Sequence, residues 1–130
     1  MYTWGDCNNG KLGHGSNGVQ YDTALEPKRI LNVPKMKIMD ISCGDNFTCF
    51  VNDYGEMLMA GKGSFEKNSP DDIELYSTPF KVLLELEIKK VFCGPNHVIA
   101  LEHHGRCYAL GAGEQGCLGL GDNKNRIKVC

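Results

Sequence analysis

The apolar positions of this 130-residue chain fall into short runs between glycines, and the runs come in pairs. Phe47-Thr48-Cys49-Phe50-Val51 is followed by the polar turn Asn52-Asp53-Tyr54-Gly55 and then by Met57-Leu58-Met59-Ala60. His97-Val98-Ile99-Ala100-Leu101, Glu102-His103-His104-Gly105 and Cys107-Tyr108-Ala109-Leu110 repeat the arrangement. Two short apolar runs joined by a turn containing glycine predict a β-hairpin, with the glycine at the positive-φ position. Phe47–Val51 is therefore expected to pair antiparallel with Glu56–Ala60, and His97–Leu101 with Arg106–Leu110. A further strand precedes each hairpin, Lys37–Ile41 and Ile88–Phe92. Pro79–Leu86 reads equally as the start of a helix or as a strand. No segment sustains a 3.6-residue period, so the chain reads as all-β.

The glycines carry a second, longer period. Gly5, Gly10, Leu12, Gly13 and Gly15 return 106 positions later as Gly111, Gly116, Leu118, Gly119 and Gly121. A half-way copy begins at Ala60-Gly61. Between these copies, Ile41-Ser42-Cys43-Gly44 returns as Val91-Phe92-Cys93-Gly94. Gly44 to Gly55 and Gly94 to Gly105 each span 11 positions; Gly55 to Gly61 and Gly105 to Gly111 each span 6. A repeat of about 50 residues marks a propeller or a solenoid. The fold expected is a fragment of a β-propeller, with repeat units at 1–56, 57–106 and the start of a third at 107–130. Spacing also varies: Gly5 to Pro27 spans 22 positions against 18 from Gly61 to Pro79, and Pro27 to Gly44 spans 17 against 15 from Pro79 to Gly94. The variable stretches Ser16–Glu26 and Lys62–Thr78 read as surface loops because length change there is cheap.

Length sharpens this. Propellers are built of four to eight blades of about four strands, more than 130 residues of this period supply. Met1–Gly5 opens on a strand and Ile127–Cys130 ends within a repeat, so the chain reads as a piece of a longer protein. Bare strand edges and inter-blade faces would then favour association with other copies or chains.

The formal charge of −2 argues against a nucleic-acid surface. The densest basic stretch, Lys124-Asn125-Arg126-Ile127-Lys128, reads as a solvated terminus. No run approaches 18 apolar residues, so no membrane span is expected. The seven cysteines contain no C-x-x-C pair and match no common zinc spacing. Cys43 and Cys93 occupy equivalent repeat positions, which predicts small, buried, unligated side chains. Reduced thiols suit an intracellular protein, cytoplasmic or nuclear.

Tyr2-Thr3-Trp4-Gly5-Asp6, Gly10-Lys11-Leu12-Gly13-His14-Gly15, Ile41-Ser42-Cys43-Gly44-Asp45-Asn46-Phe47-Thr48 and Val91-Phe92-Cys93-Gly94-Pro95-Asn96-His97 together resemble the regulator of chromosome condensation repeat family. The resemblance covers nearly the whole chain, about two and a half repeats. It implies a propeller that closes with about seven such repeats. Two departures stand out. Phe47 replaces the family's usual histidine, which His97 retains. The middle repeat keeps Gly61 and Gly63 without the Leu-Gly-x-Gly stretch.

The candidate chemical motifs are weak. Gly111-Ala112-Gly113-Glu114-Gln115-Gly116 fits a dinucleotide-binding fingerprint, but that requires a helix to open there. Cys117-Leu118-Gly119-Leu120-Gly121 is hostile to one. Asn46-Phe47-Thr48 fits a glycosylation sequon by pattern alone. Glu102-His103-His104 reads as a solvated turn, since adjacent loop residues point apart. His97 reads as a structural, hydrogen-bonded histidine. Cys49 and Cys117 have no base nominated by the sequence, and no serine sits on a G-x-S-x-G elbow. Some propellers resembling this family sense ultraviolet light through clustered tryptophans, and Trp4 stands alone. The acidic run Asp71-Asp72-Ile73-Glu74 lies in a long loop of the kind partners dock on.

No catalytic residue, metal ligand or cofactor is therefore expected. The function expected is a non-enzymatic protein-interaction scaffold, binding through loops at the propeller faces. The resemblance implies two alternatives: guanine-nucleotide exchange on a small GTPase, or a regulatory domain fused to a kinase or ubiquitin ligase.

Overall fold

A computed structural model describes residues 1–15, 24–31, 33, 35–62, 79–82 and 85–124. Among them, nine strands form three antiparallel sheets. Strands β1 (Tyr2–Gly5) and β2 (Ala24–Arg29) pair in the first. Strands β3 (Ile38–Cys43), β4 (Phe47–Asn52), β5 (Met57–Gly61) and β6 (Phe80–Val82) form the second, in that order. Strands β7 (Ile88–Cys93), β8 (His97–Glu102) and β9 (Cys107–Gly111) form the third. The sheets are successive blades of a β-propeller. Pro79–Leu86 resolves to a strand where it is described, at β6.

The expected hairpins are present. Phe47 pairs with Gly61 and Val51 with Met57; His97 pairs with Gly111 and Leu101 with Cys107. Gly55 and Gly105 close the turns at φ +76° and +87°, where a side chain would strain the backbone. The register repeats at finer grain too. The β3–β4 and β7–β8 ladders carry an irregularity at the same point, between Ile38 and Asp40 and between Ile88 and Lys90.

The core lies between the second and third blades. Phe47, Cys49, Val51, Met57 and Met59 meet Ile88, Val91, Val98, Ala100 and Leu110 there. Strand β4 is buried at every position, so its near-continuous apolar run follows from burial on both faces. At the inner edge the blades are stitched by side chains. Asp40 Oδ2 accepts the Val91 N–H and Ser42 Oγ accepts the Cys93 N–H, each at 2.9 Å. These bonds satisfy donors on a strand edge that would otherwise be open.

The reading of Cys43 as buried needs correction. Cys43 is exposed and Cys93 only half-buried. Ile41 and Val91 explain the difference. They hold equivalent positions, yet Ile41 is 47% exposed and Val91 3%. Val91 and Cys93 face the complete second blade. Ile41 and Cys43 face the first sheet, in which β1 and β2 are the described strands, and no described strand packs across them. Tyr2 and Trp4, both more than half exposed, show the same effect: their equivalents on β5, Leu58 and Ala60, are buried.

Candidate protein-interaction face

The antiparallel strands place two kinds of loop at opposite ends of the blades. One end gathers the turns Gly44–Asn46 and Gly94–Asn96 with the segments that follow β1, β5 and β9. Gly44 and Gly94 each donate to the carbonyl three residues on, Phe47 and His97, at 2.9 Å. The third-strand glycines Gly5, Gly61 and Gly111 sit at φ +104°, +100° and +108°. A Cβ on Gly61 would fall 2.2 Å from the Asn46 carbonyl oxygen, so close approach to the neighbouring turn requires glycine. Lys62 and Ala112 then donate to the Asn46 and Asn96 carbonyls, both at 2.8 Å. The chain next winds into a 3-10 turn at Asn8–Gly10 and again at Glu114–Gly116. Asn9 and Gln115 take the same left-handed conformation there, at φ +60° and +59°.

A polar network crosses this end between blades. Lys11 Nζ contacts Asp6 Oδ2 at 2.7 Å and donates to the Asp45 carbonyl at 3.2 Å. Asn9 Nδ2 donates to Asn46 Oδ1 at 2.9 Å. The Asp45 N–H donates to the Pro95 carbonyl at 3.1 Å, tying the second blade's turn to the third's. The hydrogen bond from Lys11 holds the Asp6 carboxyl below its ordinary value. Beneath the network, Thr48 Oγ1 donates to the Lys11 carbonyl at 2.8 Å and Thr3 Oγ1 to the Leu12 carbonyl at 2.6 Å. Fixed donors and acceptors on a packed frame suit recognition of a surface, because little loop entropy is lost on binding.

The opposite end carries the hairpin tips, where Asp53, Tyr54, His103 and His104 are exposed. Asn52 Oδ1 accepts the Tyr54 and Glu56 N–H groups, which shapes the first tip. Glu56 pairs with Lys81, and that contact holds its carboxyl below the ordinary value.

The sequence candidates separate clearly against this geometry. Gly111–Gly116 leads into one 3-10 turn, without the helix a pyrophosphate site needs. Asn46 belongs to the polar network. His103 and His104 lie on an exposed tip. The His97 ring packs over Gly94, a structural role filled by packing. Cys49 is buried and its thiol is pushed up by that burial; Cys117 is exposed, with Sγ 3.0 Å from the Ala112 carbonyl. Among the described residues, no three His, Cys, Asp or Glu side chains group as metal ligands, and no helix is long and apolar enough to cross a membrane. The reading of Ser16–Glu26 as a loop needs correction at its end, where Ala24–Glu26 open strand β2 and pair with β1. Residues 16–23 and 63–78, with the acidic run Asp71–Glu74, and residues 125–130 lie outside the described residues. Sequence reasoning missed the Asn9–Asn46 and Lys11–Asp45 contacts. The available signal was the left-handed turn at Asn-Asn-Gly, which matches Glu-Gln-Gly in the third copy.

Comparison with known proteins agrees with this architecture. Residues 1–51 match the Regulator of chromosome condensation (RCC1) repeat. The chain is 33% identical over 129 residues to the human E3 ubiquitin-protein ligase HERC2, covering 96% of this chain and 3% of that protein. It is 32% identical over 131 residues to the mouse serine/threonine-protein kinase Nek9, covering 92% of this chain and 13% of that protein. Among solved structures it is similar to Prp20p from Saccharomyces cerevisiae, described with its binding to Gsp1p and histones. The TM-score is 0.82 at 22% identity, over 98% of this chain and 33% of that one. The chain thus spans a small part of the curated relatives and a third of the solved propeller.

Proposed function

Because this chain is built of regulator of chromosome condensation repeats, we propose that it serves as a non-enzymatic protein-interaction scaffold. The observation that carries the reading is the cross-blade network of Asp6, Asn9, Lys11, Asp45 and Asn46, a polar loop face held on packed strands. Such a face supports docking of a protein surface and contains no paired nucleophile and base. Cytoplasmic or nuclear residence goes with it. On the repeat division proposed, 1–56, 57–106 and 107–130, the β3–β6 blade draws its strands from the first two units and the β7–β9 blade from the last two.

Guanine-nucleotide exchange on a small GTPase is the second reading, supported by the binding of Gsp1p described for the similar Prp20p. A regulatory domain within a longer kinase or ligase is supported by the likeness to Nek9 and HERC2. The full-length protein should be tested against a panel of small GTPases carrying fluorescent nucleotide. The scaffold reading expects partner binding that Lys11→Glu weakens, with no faster nucleotide release. Accelerated release would replace it with the exchange reading. Unchanged binding by the Lys11→Glu protein would remove this face from the proposal.

A further inference from the structure

Cys49 and Cys93 stand on facing blades. Cys49 is buried on β4, with Ser42 of β3 as its cross-strand neighbour. Ser42 Oγ accepts the Cys93 N–H at 2.9 Å, which holds β7 against the same spot. Cys93 is half-buried and packs against the apolar cluster that contains Cys49. Ser42, Cys49 and Cys93 thus gather at one point of the inter-blade cluster, with both cysteines part of its packing. The pair is 44 positions apart in sequence, and the stacking of blades brings it together. Cys43 belongs to the other face of β3, beside Thr48 Oγ1 at 3.9 Å.

We propose that Cys49 and Cys93 form a redox modification site, at which a peroxide oxidises the pair to a disulfide that staples the β3–β6 blade to the β7–β9 blade. Cys93 is the attacking thiol. It is the more accessible of the two, and the hydrogen bond from Cys49, aided by Ser42, holds it below the ordinary cysteine value. Burial holds Cys49 protonated. The Cys93 thiolate attacks one peroxide oxygen. An S–O bond forms, the O–O bond breaks, and the departing hydroxide takes up a proton to become water. The product is a sulfenic acid. The Cys49 sulfur then attacks the Cys93 sulfur. An S–S bond forms, the S–O bond breaks, and the hydroxyl leaves as a second water with the Cys49 proton. Two thiols lose two electrons and two protons, and the peroxide is reduced to two waters. The resolving thiol belongs to the same inter-blade cluster that Cys93 packs against, which favours the disulfide over deeper oxidation of Cys93.

The test treats the full chain with hydrogen peroxide under native conditions, blocks residual thiols, and maps the product by non-reducing peptide mass spectrometry. A Cys49–Cys93 cross-linked peptide is expected, together with a rise in thermal midpoint that dithiothreitol reverses. Cys49→Ala should leave Cys93 as a sulfenic acid that dimedone captures. Cys43→Ser should leave the cross-link yield unchanged. The wild-type map alone decides the linkage, whatever the variants do to folding. Cross-links only through Cys43, Cys107 or Cys117 would overturn the proposal, as would Cys49 remaining reduced while Cys93 goes on to sulfinic acid. A Cys49–Cys93 bond that leaves the midpoint unchanged or lowers it would overturn the stapling role.

Discussion

The Phe47 ring lies directly over Gly44: a Cβ on that glycine would fall 2.2 Å from ring atom Cε1 and 2.9 Å from the Gly94 carbonyl oxygen. The His97 ring covers Gly94 in the same way, with Cε1 2.1 Å from the position of a Cβ. The departure from histidine at position 47 is therefore a change of ring, with the packing relationship kept. It also explains why glycine recurs directly after β3 and β7.

Gly44→Ala and Gly94→Ala should each destabilise the protein by about 1–3 kcal/mol, because a methyl must displace a closely packed ring, Phe47 in the core or the half-buried His97. Gly105 is the control, since no atom lies within 4 Å of its Cβ position. Gly105→Ala should cost only about 1 kcal/mol, from its positive φ alone. Thermal and urea denaturation of the three variants measures the contrast. Equal losses at Gly44 and Gly105 would show that ring packing does not set the requirement.

Val91→Ala and Ile41→Ala test the asymmetry between equivalent positions. Val91 is enclosed between blades, and its truncation should cost about 1–3 kcal/mol. Ile41→Ala should cost less than about 0.5 kcal/mol, as for an exposed site. Comparable losses would mean that something covers Ile41 in solution.

The exposed apolar residues Tyr2, Trp4, Ile41 and Phe92 lie on blade faces and at strand edges that the described strands leave uncovered. Sheet edges and apolar faces of this kind recruit other chains. The isolated 130-residue polypeptide should therefore self-associate at micromolar concentration. Sedimentation velocity checks this, and a compact monomer with a sharp cooperative melt would contradict it.

Glu102 occupies the position of Asn52 one repeat on. Its Oε2 is buried without a hydrogen bond among the described residues, and Arg106 Nε stands 4.0 Å away. Glu102→Asn should allow the turn-capping bonds that Asn52 makes to Tyr54 and Glu56. The expected gain is about 1 kcal/mol, read as a higher urea midpoint with unchanged slope. A loss of stability would show that the carboxylate has a partner in solution.

His14 links stability to pH. Thr3 Oγ1 commits its proton to the Leu12 carbonyl, so His14 Nε2 carries the hydrogen that approaches Thr3 Oγ1 at 3.0 Å. Burial, with nearby Lys28, lowers the His14 pKa from the ordinary 6.5; the backbone contact to Thr3 opposes them. With the folded value below the unfolded one, the unfolded chain binds more protons between the two. Stability present above pH 6.5 should fall as pH drops through that window and level off below the folded value. His14→Gln should flatten this part of the profile, as measured by thermal midpoints from pH 7.5 to 5.

Local pattern was enough for the two central hairpins, though it placed the start of β2 in a loop and left β6 open between helix and strand. The apolar run of β4, the turn at Asn52–Gly55 and the fixed glycine intervals define hairpin and register, because alternation and positive-φ turns are properties of neighbouring residues. The 50-residue period likewise implied stacked blades. What covers each blade was decided only in three dimensions. Cys43 and Cys93 hold equivalent repeat positions, each before a glycine, and Ile41 and Val91 are equivalent in the same way. Their burial differs because it depends on the blade across the interface. The same holds for the polar face. Lys11 meets Asp45, and Asn9 meets Asn46, through loops from different blades, and the approach of Cys93 to Cys49 is set by blade stacking. Burial and inter-blade contact are pairwise properties of residues far apart in the chain, which repeat spacing places in equivalent frames without saying which frame has a neighbour.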